Sequence, residues 1–329
     1  MRNARIIASG AYAPERIIPN SYFDEHLGVN VSEWLEEVVK IYERHWMNDS
    51  QSTSDLALEA SKMCLENANV KPEEIDLIIL ATDTPDFVSP STASVLQDKL
   101  GCTNAGTFDI NTACAGFVTA LDTGSKFIKA DDQYKYVLVI GAYGMSKYLN
   151  QADKKTVTLF ADGAGAVLLE ATEDMNVGYQ ASELRSMGQY NGWMGIYGGG
   201  TAHPIDDDVI ENMDHRLKFV KKFPPEINPE TWSDMALQLN KRLGKTNEDV
   251  DQYFVTQINI NSIWETMDKL GVPREKAHTI MHHYGYTGSA CIPMAFHDAW
   301  EKGIVKNGDF VYFIGSGGGL AFASAAFIL

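Results

Sequence analysis

Positive charge, long apolar runs and paired cysteines are all scarce in this chain of 329 residues. Lysine and arginine together number 27 against 44 aspartates and glutamates, a net charge of −17. That balance argues against non-specific binding to nucleic acid or to an anionic membrane surface, because both need a positive field. An acidic partner would need a local basic patch. No apolar stretch approaches the ~20 residues of a membrane span, and the run from Met1 to Gly10 is too short in apolar residues for a signal peptide. The four cysteines (Cys64, Cys102, Cys114, Cys291) form no C-x-x-C pair and no Cys/His metal spacing. No disulfide framework and no metal site are therefore expected, and a reducing cytoplasm fits. Charged residues make up 22% without a long like-charge block, and hydrophobic residues 45%, so the chain has the material for a large core.

Short apolar runs alternate with helical patterns. The runs predict strands at Arg5–Ser9, Leu77–Thr82, Thr107–Ile110, Tyr136–Gly141, Ala166–Glu170, Tyr253–Val255, His278–Met281, Phe310–Gly315 and Ala321–Ile328. Helices are predicted at Ser54–Asn67, Ser91–Leu100, Cys114–Ala130, Pro229–Leu243, Ser262–Leu270 and Ser289–Lys302. Such alternation argues for α/β layers. The chain also resembles itself. Cys114 precedes the strand-end glycine Gly141 by 27 residues, and Gly288 precedes Gly315 by the same 27. Each time a small-residue turn opens a helix and an apolar strand ending in glycine follows, which points to an internal duplication. Tyr190–Phe223 fits neither copy and reads as an insertion capping a site.

Cys114 is the residue with the most chemistry in its surroundings. It sits in Asp109-Ile110-Asn111-Thr112-Ala113-Cys114-Ala115-Gly116-Phe117, between a strand and an amphipathic helix. Unpaired N–H groups and the positive end of the helix dipole favour the nucleophilic thiolate there. The small neighbours Ala113, Ala115 and Gly116 leave room for a substrate.

Other features are weaker. Asp162-Gly163-Ala164-Gly165-Ala166 precedes a strand, whereas a dinucleotide fingerprint follows one, so it reads as a tight turn. Ser316-Gly317-Gly318-Gly319 reads equally as a hairpin turn and as a backbone donor to an oxyanion. His282 and His283 are adjacent near a strand end, so at most one faces a shared site; His203 lies in the glycine-rich insertion. The basic cluster His215–Lys222 reads as a solvated helix face, or as a docking patch for an acidic carrier protein or a phosphate.

Taken in order, these motifs resemble the β-ketoacyl-acyl carrier protein synthase III family of the thiolase superfamily, over essentially the whole chain. Glu33-Trp34-Leu35 with Ile41-Tyr42-Glu43-Arg44 resembles the family's tryptophan segment, and Thr82-Asp83-Thr84-Pro85-Asp86 through Pro90-Ser91-Thr92-Ala93 its T-x-T-P-D…P-S-T-A stretch. Asp109–Phe117 resembles the nucleophile loop, Phe160–Ala166 the F-x-D-G-A-G-A turn, and Gly317–Gly319 the late glycine loop. The resemblance implies an α/β, thiolase-like five-layer fold of two duplicated βαβαβ halves, 1–172 and 173–329, the second with the insertion at about 190–223. It implies a homodimer and no bound cofactor. Cys114 is implied as the nucleophile for a coenzyme A or acyl carrier protein thioester, with the Cys114 and Gly318 N–H groups as oxyanion hole. Trp34, Asn259 and Lys218 fall at substrate-binding positions, Lys218 near a family lysine that meets acyl carrier protein.

The chain departs from the family where condensation is done. The family's H-Q-A-N histidine is replaced by Thr256 in Thr256-Gln257-Ile258-Asn259, and its G-N-T asparagine by Tyr286 in Gly285-Tyr286-Thr287. Each replacement donates one hydrogen bond, and neither supplies an imidazole. Losing one such donor costs ~3 kcal/mol of transition-state stabilisation, on the order of 10²–10³ in rate. Val38 and Asn261 likewise stand where the family carries arginines. Three readings follow. The first is an acyltransferase forming an acyl-Cys114 thioester in a fatty acid, polyketide or secondary-metabolite pathway, with decarboxylative condensation impaired and His283 as a candidate substitute base. The second is an ordinary fatty-acid-initiating synthase. The third is a non-catalytic partner subunit of a heteromeric condensing enzyme.

Overall fold

The computed structural model describes residues 2–329. The first half of the chain gives β1 (Asn3–Tyr12), α1 (Thr53–Ala68), β2 (Leu77–Ala81), α2 (Thr92–Leu100), β3 (Gly106–Ile110), α3 (Gly116–Ala130), β4 (Tyr136–Gly144) and β5 (Asp162–Thr172). The second gives β6 (Gly178–Ser186), α4 (Ile227–Leu243), β7 (Gln252–Val255), α5 (Ile260–Leu270), α6 (Cys291–Glu301), β8 (Phe310–Gly317) and β9 (Ala321–Ile328).

The five-stranded sheet runs β1-β5-β4-β2-β3 and the four-stranded sheet β6-β9-β8-β7. In the first, β1/β5 and β5/β4 are antiparallel while β4/β2 and β2/β3 are parallel. The second repeats this order, with β6/β9 and β9/β8 antiparallel and β8/β7 parallel. A parallel bridge from Tyr253 to Ala277 holds the place of its fifth strand. The all-apolar β2 sequence Leu-Ile-Ile-Leu-Ala is buried at every residue, as a strand covered on both faces must be.

Five layers result. Helices α3 and α6 lie between the sheets, α1 and α2 cover the outside of the first, and α4 and α5 the outside of the second. The central layer is tight because glycine admits it. A Cβ on Gly141, in β4, would meet the Ser289 carbonyl oxygen at 2.2 Å, and one on Gly315, in β8, would meet Ala115 Cα at 2.9 Å. Each copy's strand glycine thus receives the helix entrance of the other copy. Phe117 on α3 and Phe296 on α6 both pack on Phe313 of β8, with ring centroids 6.3 and 5.3 Å apart.

Three expectations need correction. His278–Met281 is not a strand: Met281–Tyr284 is a helical turn. The buried Gln257 side chain accepts the Ile280 and Met281 N–H groups at 2.8 and 3.2 Å and donates to the His278 carbonyl at 3.1 Å, occupying groups a ladder would use. Gly163 and Gly165 are no turn but lie inside β5, where Cβ atoms would meet Met294 Sδ and Pro293 Cβ, each at 2.7 Å. The basic cluster is no helix either. Lys218–Phe219 pairs with Met194–Gly195 in a two-stranded ribbon. Missing from the expected elements were β6 and the two-stranded antiparallel sheet of Arg16–Pro19 with Glu43–Trp46. Among the described residues, no helix is long and apolar enough to cross a membrane.

Candidate active site

The carboxyl ends of the parallel strands β2, β3 and β4 gather the reactive groups. After β3 the chain turns sharply before α3. Asn111 Oδ1 accepts the Ala113 N–H at 3.0 Å, and the Ala115 and Gly116 N–H groups return to the Thr112 and Ala113 carbonyls. Ala113 has φ 46°, left-handed backbone that costs a non-glycine residue about 1 kcal/mol. Motif acids brace the turn. The Asp109 carboxylate accepts the Thr92 and Ala93 N–H groups, both at 2.7 Å, at the start of α2, and Asp86 accepts the Ser54 N–H at 2.9 Å at the start of α1. From the other half, Gly317 presses on the loop: a Cβ there would meet Cys114 N at 2.5 Å and Thr112 O at 2.6 Å.

Cys114 itself is 2% exposed. Helix α3 starts at Gly116, two residues later than the sequence pattern predicts, so the thiol stands just ahead of the helix. The expected ease of ionisation meets opposition here. Burial pushes the thiol well above its ordinary value and nearby Asp83 pushes the same way, while a hydrogen bond from the Tyr286 hydroxyl draws it back.

A cavity of about 90 Å³ opens over the sulfur, with Cys114, Thr256, Tyr286 and Gly318 in its wall. The structure therefore brings together the four residues expected at the reaction centre. Tyr286 is buried, its ring 5.3 Å from that of Phe160. Thr256 is buried and committed: its hydroxyl accepts the Ser316 N–H at 2.9 Å and donates to the Ser316 carbonyl at 3.3 Å. Met194, Phe219 and Phe223, all from the 190–223 segment, supply apolar wall.

A second cavity of about 370 Å³ lies outside the first and shares Phe219, Phe223, Pro224 and Ile258 with it. Trp34, 48% exposed, and Asn259 stand at this outer cavity. Asn259 also caps α5, accepting the Asn261 N–H at 3.0 Å. Lys222 reaches the outer cavity. Lys218 does not line either one; it is paired with Asp214 at 2.5 Å and donates to the Asn212 carbonyl at 2.7 Å.

The histidines are not brought to Cys114. His283 is two-thirds exposed and faces Glu43 at 3.2 Å, so it cannot replace an imidazole at the thiol. His282 is held by the Lys40 carbonyl and Thr279, and His203 is exposed.

Two neighbours of the thiol escaped the sequence reading. Cys291, at the start of α6, lies close enough to bear on it electrostatically. Asp83 stands just past the end of β2, and its Oδ1 is buried without a hydrogen-bond partner. The T-x-T-P-D motif contains it, but at the position the motif leaves open.

A duplicated α/β sandwich with a buried cysteine at the entrance of a central helix defines a thiolase-like enzyme scaffold. The chain belongs to the 3-oxoacyl-[acyl-carrier-protein] synthase III family, whose models match residues 108–188 and, for the C-terminal part, 241–328. It is 38% identical over 328 residues to a β-ketoacyl-[acyl-carrier-protein] synthase III of Clostridium perfringens, covering 99% of both chains. The solved 3-oxoacyl-[acyl-carrier-protein] synthase III of Aquifex aeolicus superposes with a TM-score of 0.89 at 31% identity, covering 99% of this chain and 100% of that one. The priming β-ketosynthase of the R1128 polyketide biosynthetic pathway gives 0.86 at 26% identity, covering 99% and 96%.

Proposed function

We propose that this protein is a synthase III-like acyltransferase of fatty acid, polyketide or secondary-metabolite biosynthesis that takes an acyl group from a coenzyme A or carrier-protein thioester onto Cys114. The Cys114 and Gly318 N–H groups receive the oxyanion, and Trp34 and Asn259 flank the incoming thioester arm. Lys218 belongs to the surface that meets a carrier protein. The acyl group then passes to an acceptor, and decarboxylation of a malonyl thioester is slow, because Thr256 and Tyr286 stand where the family carries histidine and asparagine. One observation carries this reading: the only Thr256 hydroxyl proton is given to the Ser316 carbonyl, so that side chain has none to offer a malonyl carbonyl. The Tyr286 hydroxyl, which shares the cavity wall with Cys114 and draws its pKa down, supports loading of the sulfur. A homodimer is part of the reading. The unpaired edge of β3 and the exposed Phe87 and Val88, 56% and 93% accessible, support it.

The close identity to β-ketoacyl synthases III supports a second reading, an ordinary initiating condensing enzyme. Intact-protein mass spectrometry separates the two. The protein and a Cys114→Ala variant are incubated with a panel of acyl-coenzyme A and acyl-carrier-protein donors, then chased with malonyl-carrier protein. A Cys114-dependent mass gain that survives the chase supports acyl transfer to another acceptor. Its conversion to a β-ketoacyl product supports ordinary condensation. No gain with any donor sinks both and favours a partner subunit of a heteromeric enzyme.

A further inference from the structure

The inner and outer cavities meet at a neck whose five shared residues are Phe219, Phe223, Pro224, Ile258 and Asn228. Four of them are apolar. Among the described residues, Asn228 is the one polar side chain that borders both cavities. Helix periodicity aims it there. Asn228 is the second residue of α4, and Trp232, Met235 and Leu239 follow it at helical spacing on the buried face of that helix. It therefore heads a stripe that is otherwise apolar. Side chains on a helix lean toward its N-terminal end, so the Asn228 amide reaches past the helix start and into the neck.

The amide is also free. The outer cavity has three asparagines in its wall. Asn259 accepts the Asn261 N–H at 3.0 Å, and Asn261 donates to the Val38 carbonyl at 3.1 Å. Asn228 makes no side-chain hydrogen bond to any of the described residues, although it is half-buried among apolar neighbours. Its carbonyl oxygen can accept and its NH2 group can donate. An amide in apolar surroundings is costly unless it meets a partner.

A thioester donor brings that partner. The inner cavity, about 90 Å³, is smaller than the ~150 Å³ that encloses one benzene ring. It holds the thioester group and a few carbons. The rest of the donor runs out through the neck to the outer cavity of about 370 Å³. Coenzyme A and acyl carrier protein present their thiol on the same arm, in which a short methylene spacer separates the sulfur from a secondary amide. With the donor's sulfur beside Cys114, that amide is the first polar group to reach the neck. It has one N–H and one carbonyl, and the Asn228 carboxamide can meet either. Resting on the acyl-Cys114 reading, we infer that Asn228 is a positioning residue for this amide. It holds the arm at the neck, so that the thioester carbonyl carbon comes to rest at the Cys114 sulfur.

The test compares two small donors of whichever acyl group loads the wild type best. One is the N-acetylcysteamine thioester, which has the amide. The other is the S-pentyl thioester, which has the same chain length without it. Mass spectrometry gives the second-order rate of Cys114 loading from each, and the readout is the ratio of the two. It is measured in the full-length wild type, in Asn228→Leu, which keeps the shape, and in Asn228→Ala, which opens the neck. The intrinsic reactivities of the thioesters cancel when ratios are compared between proteins. Both variants should lower the ratio about tenfold, since the arm's amide loses its partner. Misfolding, or a role confined to packing, slows both donors alike and leaves the ratio unmoved. An unmoved ratio overturns the inference. So does a ratio that falls in Asn228→Leu but not in Asn228→Ala, which would be obstruction of the neck. Acyl-coenzyme A and acyl carrier protein run beside the small donors. Both have the amide, so both should slow by the same factor, and the faster of the two in the wild type names the source of the arm. A loss confined to one of them overturns the inference, because Asn228 would then be reading the rest of that donor. A wild type that loads from no donor while folding normally overturns the acyl-Cys114 reading itself, whereas an unmoved ratio in a protein that does load leaves that reading standing.

Discussion

The Thr256 hydroxyl and the Ser316 backbone are bonded in both directions, with the N–H given at 2.9 Å and the carbonyl receiving at 3.3 Å. This pair ties the end of β7 to the end of β8 beside Cys114. A side chain so engaged is part of the wall and not a reagent.

Thr256→Val is accordingly expected to cost stability and spare loading. The buried Ser316 N–H would lose its acceptor, a penalty of about 1–3 kcal/mol in urea unfolding. Loading of Cys114 should stay within about threefold of wild type, since no bond made only in the transition state is lost. A loss on the order of 10² would return Thr256 to the catalytic machinery.

Tyr286→Phe should do the opposite. The ring packing on Phe160 remains, so stability changes little, but the hydroxyl that draws the thiol pKa down is removed. Its loss raises the thiol pKa, and ionisation moves to higher pH. A hydrogen bond to a charged group is worth about 1.5–3 kcal/mol, so iodoacetamide alkylation of Cys114 at pH 8 should slow by tenfold or more. Equal alkylation rates in the two proteins would remove Tyr286 from the loading step.

The duplication was legible because its mark is local. A small-residue turn, an amphipathic helix and a glycine-ended strand recur at one spacing, and α3 and α6 carry them. The turn that carries Cys114 was legible for the same reason: Ala113 through Gly116 are small next to a strand end. What escaped was long-range. Asp83 reads as an ordinary loop acid until β2 is set between β3 and β4. His283 reads as a candidate base until Gln257 turns His278–Met281 out of the sheet and leaves the imidazole facing Glu43. Period-2 patterning cannot see a side chain from another strand taking over backbone groups.

The reciprocal glycines make a steric prediction. Neither Gly141 nor Gly315 has a positive φ, so an added methyl tests space alone. In Gly141→Ala the Cβ would meet the Ser289 carbonyl oxygen at 2.2 Å, against backbone that cannot swing aside. Overpacking of this kind costs about 1–3 kcal/mol or more, and G141A should be the worse of the two. Gly315→Ala would meet Ala115 Cα at 2.9 Å and displace the loop that carries Cys114. It should therefore lose acyl loading at a temperature where circular dichroism still shows folded protein. Loading that falls only in step with unfolding would show that the loop tolerates the shift.

Asp83 also sets the sign of a pH effect on stability. Its folded pKa, raised to about 6, lies above the ordinary 3.8. Above pH 6 the folded state bears the full cost of an unpaired buried carboxylate. As pH falls from 6 toward 3.8 the folded protein takes up a proton that the unfolded chain does not, and the cost is relieved. Below about pH 4 both states are protonated and the cost is gone. Asp83→Asn removes the charge at every pH, so it should be more stable than wild type at pH 8. The margin is about 1–2 kcal/mol, less than the shift alone implies because the residue is not wholly shielded from solvent. The gap should close as pH drops to 4. Asp162, also raised to about 6 by burial, titrates in both proteins and cancels from the difference. Urea unfolding of the two proteins at pH 4, 6 and 8 reads the trend directly. A variant less stable than wild type at pH 8 would mean that the carboxylate is satisfied in solution by a partner group.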